Sequence, residues 1–206
     1  MQDLTEGVAR FRHDVFPAKA DLFTRLAGSH KPTALFIGCS DARVVPELLT
    51  QSEPGELFVI RTAGNLVPAY SPGAEGVAAG VEYAVAVLGV SDVVVCGHSA
   101  CGAMTALAEQ HDLGGLPAVA DWLRHADASR ARVSAAVSTA ASASGDAGTQ
   151  QLDALVRENV RAQLANLATH PSVARALLRG ALTLHGWVYD IPTGTVEELD
   201  QAARAA

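Results

Sequence analysis

Five residues in two short stretches carry the chemistry open to this chain: Cys39, Asp41 and Arg43 in one, His98 and Cys101 in the other. Two thiolates and one imidazole make a soft donor set that suits Zn²⁺ and fills three of its four tetrahedral positions. The fourth position separates a closed structural site from an open catalytic one. No further Cys or His stands at short spacing from these three, and Asp41 is the nearest candidate to close the site. Paired with Arg43 instead, Asp41 is the kind of carboxylate that orients a zinc-bound hydroxide through a charge-assisted hydrogen bond.

Each residue alone has a blander reading. A buried Cys after a strand is usually packing, and a surface Asp–Arg pair adds little to stability. It is the combination that favours a metal. Cys96 is the contrast, since it ends an apolar Val run and reads as an inert core thiol. His13, His111, His125, His170 and His185 lack metal spacing and are expected on surfaces or turns, His185 within a strand.

The ligands can converge only if strands bring them to one sheet edge. Ala34–Ile37, Leu57–Ile60 and Val93–Val95 are short, apolar and β-branched, as suits strands buried on both faces. Cys39 and His98 follow the first and third of these. Between the second and third, Val77, Val81, Val85 and Leu88 mark one helix face over Glu75–Leu88. Strand, helix, strand at this spacing predicts a parallel sheet with right-handed crossovers, whose ligand edge lies at the strand C-termini. A helix is expected from Cys101 through Glu109. A second, marked by Leu152, Leu155, Val156, Val160, Leu164 and Leu167, ends before His170-Pro171, a short one follows Pro171, and Ala181–Tyr189 reads as the last strand. The expected fold class is α/β, a central mostly parallel β-sheet flanked by helices, forming one domain over residues 1–206. Residues 1–30 form an N-terminal helical arm whose apolar faces need the sheet or a partner subunit to pack on. Residues 134–149, almost wholly Ala, Ser, Gly and Thr, read as a surface helix fraying into a flexible linker.

A formal charge of −7 argues against nucleic acid as a partner. No apolar run approaches the roughly 20 residues that cross a bilayer, and the first residues mix acids and bases unlike a signal peptide. A soluble, cytoplasmic protein is expected. Three cysteines do not suggest a disulfide framework.

The segments Cys39-Ser40-Asp41-Ala42-Arg43 and Gly97-His98-Ser99-Ala100-Cys101-Gly102 resemble the two signature motifs of β-class carbonic anhydrases. Pro54–Asn65, Val81–Val85 and His185–Ile191 extend the likeness over nearly the whole chain. Within the class, Val45–Thr50 and the C-terminal segment look closest to the members associated with cyanate breakdown. The resemblance implies reversible hydration of carbon dioxide to bicarbonate and a proton. Cys39, His98 and Cys101 would be the zinc ligands, and Asp41, paired with Arg43, would accept a hydrogen bond from the zinc-bound hydroxide. The backbone N–H of Gly102 would help position substrate, while Phe58, Ala63 and Tyr83 would line an apolar CO₂ pocket, often across a dimer interface. It also implies a homodimer or a larger assembly such as a homotetramer. His30 replaces a Gln that contacts bicarbonate in many members. Phe36 replaces a Trp that, with residues matching Arg61 and Tyr189, holds bicarbonate in a closed form where Asp41 becomes the fourth zinc ligand; an open site is therefore expected. Two other readings remain: a hydrolase of carbonyl sulfide or carbon disulfide on this scaffold, and a non-catalytic zinc-binding protein. A nucleotide-binding α/β protein is more distant, because no glycine-rich phosphate loop follows the first strand.

Overall fold

The computed structural model describes residues 3–73, 75–139 and 147–199. Five strands form one sheet: β1 Ala34–Cys39, β2 Leu57–Thr62, β3 Asp92–His98, β4 Thr183–Asp190 and β5 Thr195–Leu199. Their order is β2-β1-β3-β4-β5. The first four run parallel, and β5 returns antiparallel beside β4. β1 and β3 are therefore neighbours, with Gly38 opposite Cys96.

Strict alternation along each strand sorts the side chains between two layers. Leu35, Ile37, Val93 and Val95 are buried on one side with Val81 and Val85, Val160 and Leu167. Phe36, Val94 and Cys96 point to the other side, against Trp187 and Tyr189. Each fully buried Leu, Ile or Val contributes about 1.5–3 kcal/mol of transfer free energy, which commits these apolar runs to the centre of the sheet.

Among the described residues the helices are α1 Leu4–Arg10, α2 Phe16–Gly28, α3 Pro46–Thr50, α4 Gly76–Glu82, α5 Gly102–Ala108, α6 Pro117–Leu123, α7 Asp127–Thr139, α8 Ala147–Ala168 and α9 Pro171–Leu178. Glu75 starts α4 as its cap, accepting from the amides of Val77 and Ala78 at 2.9 and 2.7 Å. A π-helical turn, Tyr83–Leu88, carries the helix to the length read from the Val77–Leu88 spacing. The long helix α8 lies directly on β3. A Cβ on Gly97 would stand 2.8 Å from Val160 Cγ2, so only glycine allows the approach.

Three expectations change. Thr183–Asp190 is not the last strand, because the Pro192-Thr193-Gly194 turn leads into β5. That strand, Thr-Val-Glu-Glu-Leu, lacks an apolar run because it is an exposed, charged edge. α3 and α6 were not anticipated; both are short and begin at a proline. His170 is buried rather than exposed: its Nε2 meets the Pro68 carbonyl at 3.0 Å, and Tyr70 stands edge-on to its ring.

The arm consists of α1 and α2 joined by a π-helical turn, Phe11–Val15. It holds its own aromatic cluster of Phe11, Phe16 and Phe23. Its foot is fixed where Leu26 covers Gly55 and Lys19 pairs with Glu53. Leu4 remains 85% and Val8 67% exposed, so this chain's own sheet does not take up the arm's apolar face. In the Ala- and Ser-rich stretch, α7 continues through Thr139, and residues 140–146 lie outside the described residues.

Candidate metal centre

Cys39 is the last residue of β1, His98 the last of β3, and Cys101 precedes α5 as its cap. Adjacent parallel strands ending at the same level bring these three together. The Sγ atoms of Cys39 and Cys101 and a ring nitrogen of His98 lie within 4.8 Å of one another, all in buried residues. Among the described residues this is the one such cluster, and Asp41 lies outside it.

The histidine is prepared as a ligand. Its Nδ1 faces the Ser99 carbonyl at 2.9 Å, and a carbonyl only accepts, so the proton sits on Nδ1 and the lone pair on Nε2. Nε2 is buried and has no hydrogen-bond partner. Leaving such a nitrogen unpaired costs about 1–3 kcal/mol, which a metal ion would remove. The thiols are prepared too. A hydrogen bond from Cys101 lowers the pKa of Cys39, and the same bond, with burial, raises that of Cys101. Of the two thiols, Cys39 is thus made the more acidic. Cys96, by contrast, is pushed up to about 12 by burial and takes no part.

Asp41 is fastened away from the cluster. Arg43 grips it in a fork, Nε to Oδ1 at 2.9 Å and Nη2 to Oδ2 at 2.7 Å, and the Arg43 amide adds a third bond at 2.9 Å. These donors hold the carboxyl well below the usual carboxylate range. Its Oδ2 stands 3.9 Å from His98 Nε2, beside the nitrogen that faces the centre of the cluster.

Several supporting residues carried no sequence signal of their role. Arg61 donates to the carbonyls of Cys39, Asp41 and Val44 at 3.0, 2.6 and 2.8 Å, stapling the whole first loop. Ala100 adopts φ 52° in the turn between His98 and Cys101. Gly64 has φ 72°, and its amide donates to Cys39 Sγ at 3.4 Å. A Cβ there would stand 2.9 Å from that of Ala103.

The residues expected to line a pocket separate into two groups. Ala63 and Gly102 lie beside the cluster, one preceding Gly64 and one following Cys101, and both are exposed. Phe58 and Tyr83 meet each other with ring centroids 5.9 Å apart. Phe58 pairs with Leu35 while Thr62 pairs with Cys39, which places Phe58 about 13 Å from the metal end of the sheet at roughly 3.3 Å per residue. His30 is exposed ahead of β1. Phe36 is buried, and Trp187 of β4 stands edge-on to it with ring centroids 6.3 Å apart.

A family model described as carbonic anhydrase matches residues 34–196. The chain belongs to the carbonic anhydrase family. It is 61% identical to the carbonic anhydrase of Pseudomonas aeruginosa over 204 residues, 99% of this chain and 90% of that protein. It is 52% identical to carbonic anhydrase 1 of Escherichia coli O157:H7, again over 99% and 90% of the two chains. Solved structures place it in the β class. The β-carbonic anhydrase CcaA superposes with a TM-score of 0.90 at 44% identity, covering 97% of this chain and 87% of that one. A tetrameric β-carbonic anhydrase of Sordaria macrospora superposes with a TM-score of 0.81 at 29% identity, covering 96% and 94%.

Proposed function

We propose that this β-carbonic anhydrase binds one zinc ion through Cys39, His98 and Cys101 and hydrates carbon dioxide reversibly to bicarbonate and a proton. The observation that carries the reading is the buried Nε2 of His98, without a hydrogen-bond partner and facing two thiols, next to a carboxylate that Arg43 keeps ionised. Zinc in such a site is a Lewis acid that brings the pKa of a coordinated water towards neutrality.

The rest of the chemistry falls to side chains. Arg43 uses the Nε–Nη2 edge of its guanidinium to keep Asp41 ionised and fixed in orientation. Asp41 Oδ2, with lone-pair capacity left, accepts a hydrogen bond from the attacking oxygen and so fixes which of its lone pairs meets the carbon of CO₂. Arg61 holds the loop that carries both Cys39 and Asp41. The Gly102 amide and Ala63 border the space in which substrate would sit.

Phe58 and Tyr83 are too far from this chain's own metal end to enclose its substrate. Phe58 lies on β2, one of the sheet's two outer strands, with Tyr83 against it, and we assign both to the pocket of a second copy of the chain. The exposed apolar face of the arm supports such a homo-oligomer. No helix among the described residues is long and apolar enough to cross a membrane, and the three unpaired thiols support a reducing, cytoplasmic location. A narrower place among the members associated with cyanate breakdown rests on Val45–Thr50 and the C-terminal segment. Loss of growth on cyanate when the gene is removed would test it.

Stopped-flow CO₂ hydration on metal-quantified protein, with carbonyl sulfide as a competing substrate, tests the main reading. One zinc per chain and fast hydration, both lost in Cys39→Ser, His98→Ala and Cys101→Ser, are expected. Full activity without metal, or zinc without hydration, would overturn it.

A further inference from the structure

The Gly64 amide donates to Cys39 Sγ, and the peptide that carries this N–H is gripped from its other end. Its carbonyl belongs to Ala63 and accepts from the indole Nε1 of Trp122 at 2.9 Å. The next carbonyl, that of Gly64, accepts from Asn159 Nδ2 at 3.0 Å. Asn159 is fully buried on α8, although nothing in the apolar pattern of that helix calls for an amide there. It is held in turn by Gln163, also fully buried, whose Nε2 donates to Asn159 Oδ1 at 2.9 Å. Gln163 Oε1 accepts from the Val67 amide, and Asn166 Nδ2 donates to the Val67 carbonyl. A buried amide left unpaired costs about 1–3 kcal/mol, so this ladder has one favourable register, and that register sets the 63–67 segment.

From this geometry we infer that Trp122 and Asn159 are positioning residues of the metal centre: both aim the Gly64 N–H, Trp122 also polarises it, and together they limit how much charge Cys39 gives to the metal. The physical reason lies in the donor set. Two thiolates neutralise a divalent ion far more than imidazoles do, which weakens it as a Lewis acid; an N–H donor on sulfur draws charge back. An indole N–H on the carbonyl end of the same peptide strengthens its N–H end, because hydrogen bonds in series polarise one another. Gly64 is the residue that can serve: its φ of 72° and its closeness to Ala103 and Met104 exclude a side chain. The inference rests on the zinc reading, and its test separates the two.

The experiment uses Co²⁺-substituted full-length protein. Trp122→Phe keeps an aromatic ring but removes the donor, and Asn159→Leu keeps volume but removes the amide. Both are expected to move the sulfur-to-cobalt charge-transfer band to lower energy. In the zinc enzymes kcat/KM should fall several-fold at neutral pH and recover as pH rises. Asn166→Leu, which loosens the same segment three carbonyls beyond Gly64 and makes no bond to that residue, should cost comparable stability and leave the band in place. A wild-type band in Trp122→Phe, or an equal shift in Asn166→Leu, would overturn the inference while the metal reading stood. Should Asn159→Leu not fold, the ¹¹³Cd-substituted wild-type protein decides: a scalar coupling between the metal and the Gly64 amide proton is expected, and its absence would overturn the inference. Failure of the wild-type chain to bind cobalt through thiolate would overturn the zinc reading and this inference with it.

Discussion

Arg43 Nη2 donates to the Ala100 carbonyl at 3.0 Å, so the guanidinium that grips Asp41 also holds the turn between His98 and Cys101. Ala100 has φ 52° there, a left-handed conformation that costs a non-glycine residue about 1–2 kcal/mol. One side chain thus locks the two halves of the metal site together, the loop after β1 and the turn after β3.

Asp41→Asn keeps the ligands and should keep zinc, while CO₂ hydration falls about 10–100-fold, the usual cost of losing an outer partner of a metal site. Arg43→Lys should fall with it, because an ammonium cannot serve Asp41 in a fork and Ala100 together. Metal content and stopped-flow rates on the same samples check both; wild-type turnover in Asp41→Asn would remove Asp41 from the mechanism.

His185 should stabilise the fold most in acid. Burial disfavours its charge, but hydrogen bonds to Asp92 and Glu198, at 2.9 and 3.0 Å, outweigh that and raise its pKa. A raised folded pKa means the contribution is complete below the unfolded value of about 6.5 and is lost as pH rises through the folded value. The difference in Tm between wild type and His185→Gln should therefore be widest near pH 6 and shrink towards pH 9. A gap that widens with pH would show the reverse coupling.

Gly97→Ala should destabilise the protein by about 1–3 kcal/mol, the range for overpacking a core, because the new methyl would meet Val160 and Val156 at 2.8 and 3.1 Å. Urea unfolding with an unchanged m-value is the measurement. A neutral result would mean that α8 can lift from the sheet.

Cys96 should resist alkylation at neutral pH even after zinc is chelated, since burial both hides its thiol and raises its pKa to about 12. Cys39 should react once the metal is gone, its thiol lowered by Cys101. Peptide mapping after iodoacetamide would distinguish them, and early label on Cys96 would contradict its place in the core.

Much of the fold could be read locally. The β-branched runs of β1 and β3 and the Val77–Leu88 helix face are patterns over a few residues, set by alternation along a strand and the 3.6-residue helical turn. β5 was missed because an exposed edge strand has no apolar run to recognise, and Pro192-Thr193-Gly194 reads as an end when it is a hairpin. His170 was misplaced because its burial depends on Pro68 and Tyr70, about a hundred residues away. Asn159, Trp122 and Ala100 gave no signal for the same reason: an Asn on a helix, a Trp near a surface and an Ala in a turn are ordinary until the 63–67 segment and Arg43 lie against them.

By itself the sequence determined the chemistry on offer: two thiols, an imidazole and a carboxylate with its guanidinium, in motifs close enough to a known family to imply zinc and carbon dioxide. Only the tertiary structure decided that these groups meet, because strand order is a property of the whole sheet, and β1 lies beside β3 rather than β4. It also decided that Asp41 leans to Arg43 and not into the cluster, and that Phe58 and Tyr83 stand far from this chain's own metal end. Spacing along a chain sets which residues share an element; packing across the chain sets which of them face one another.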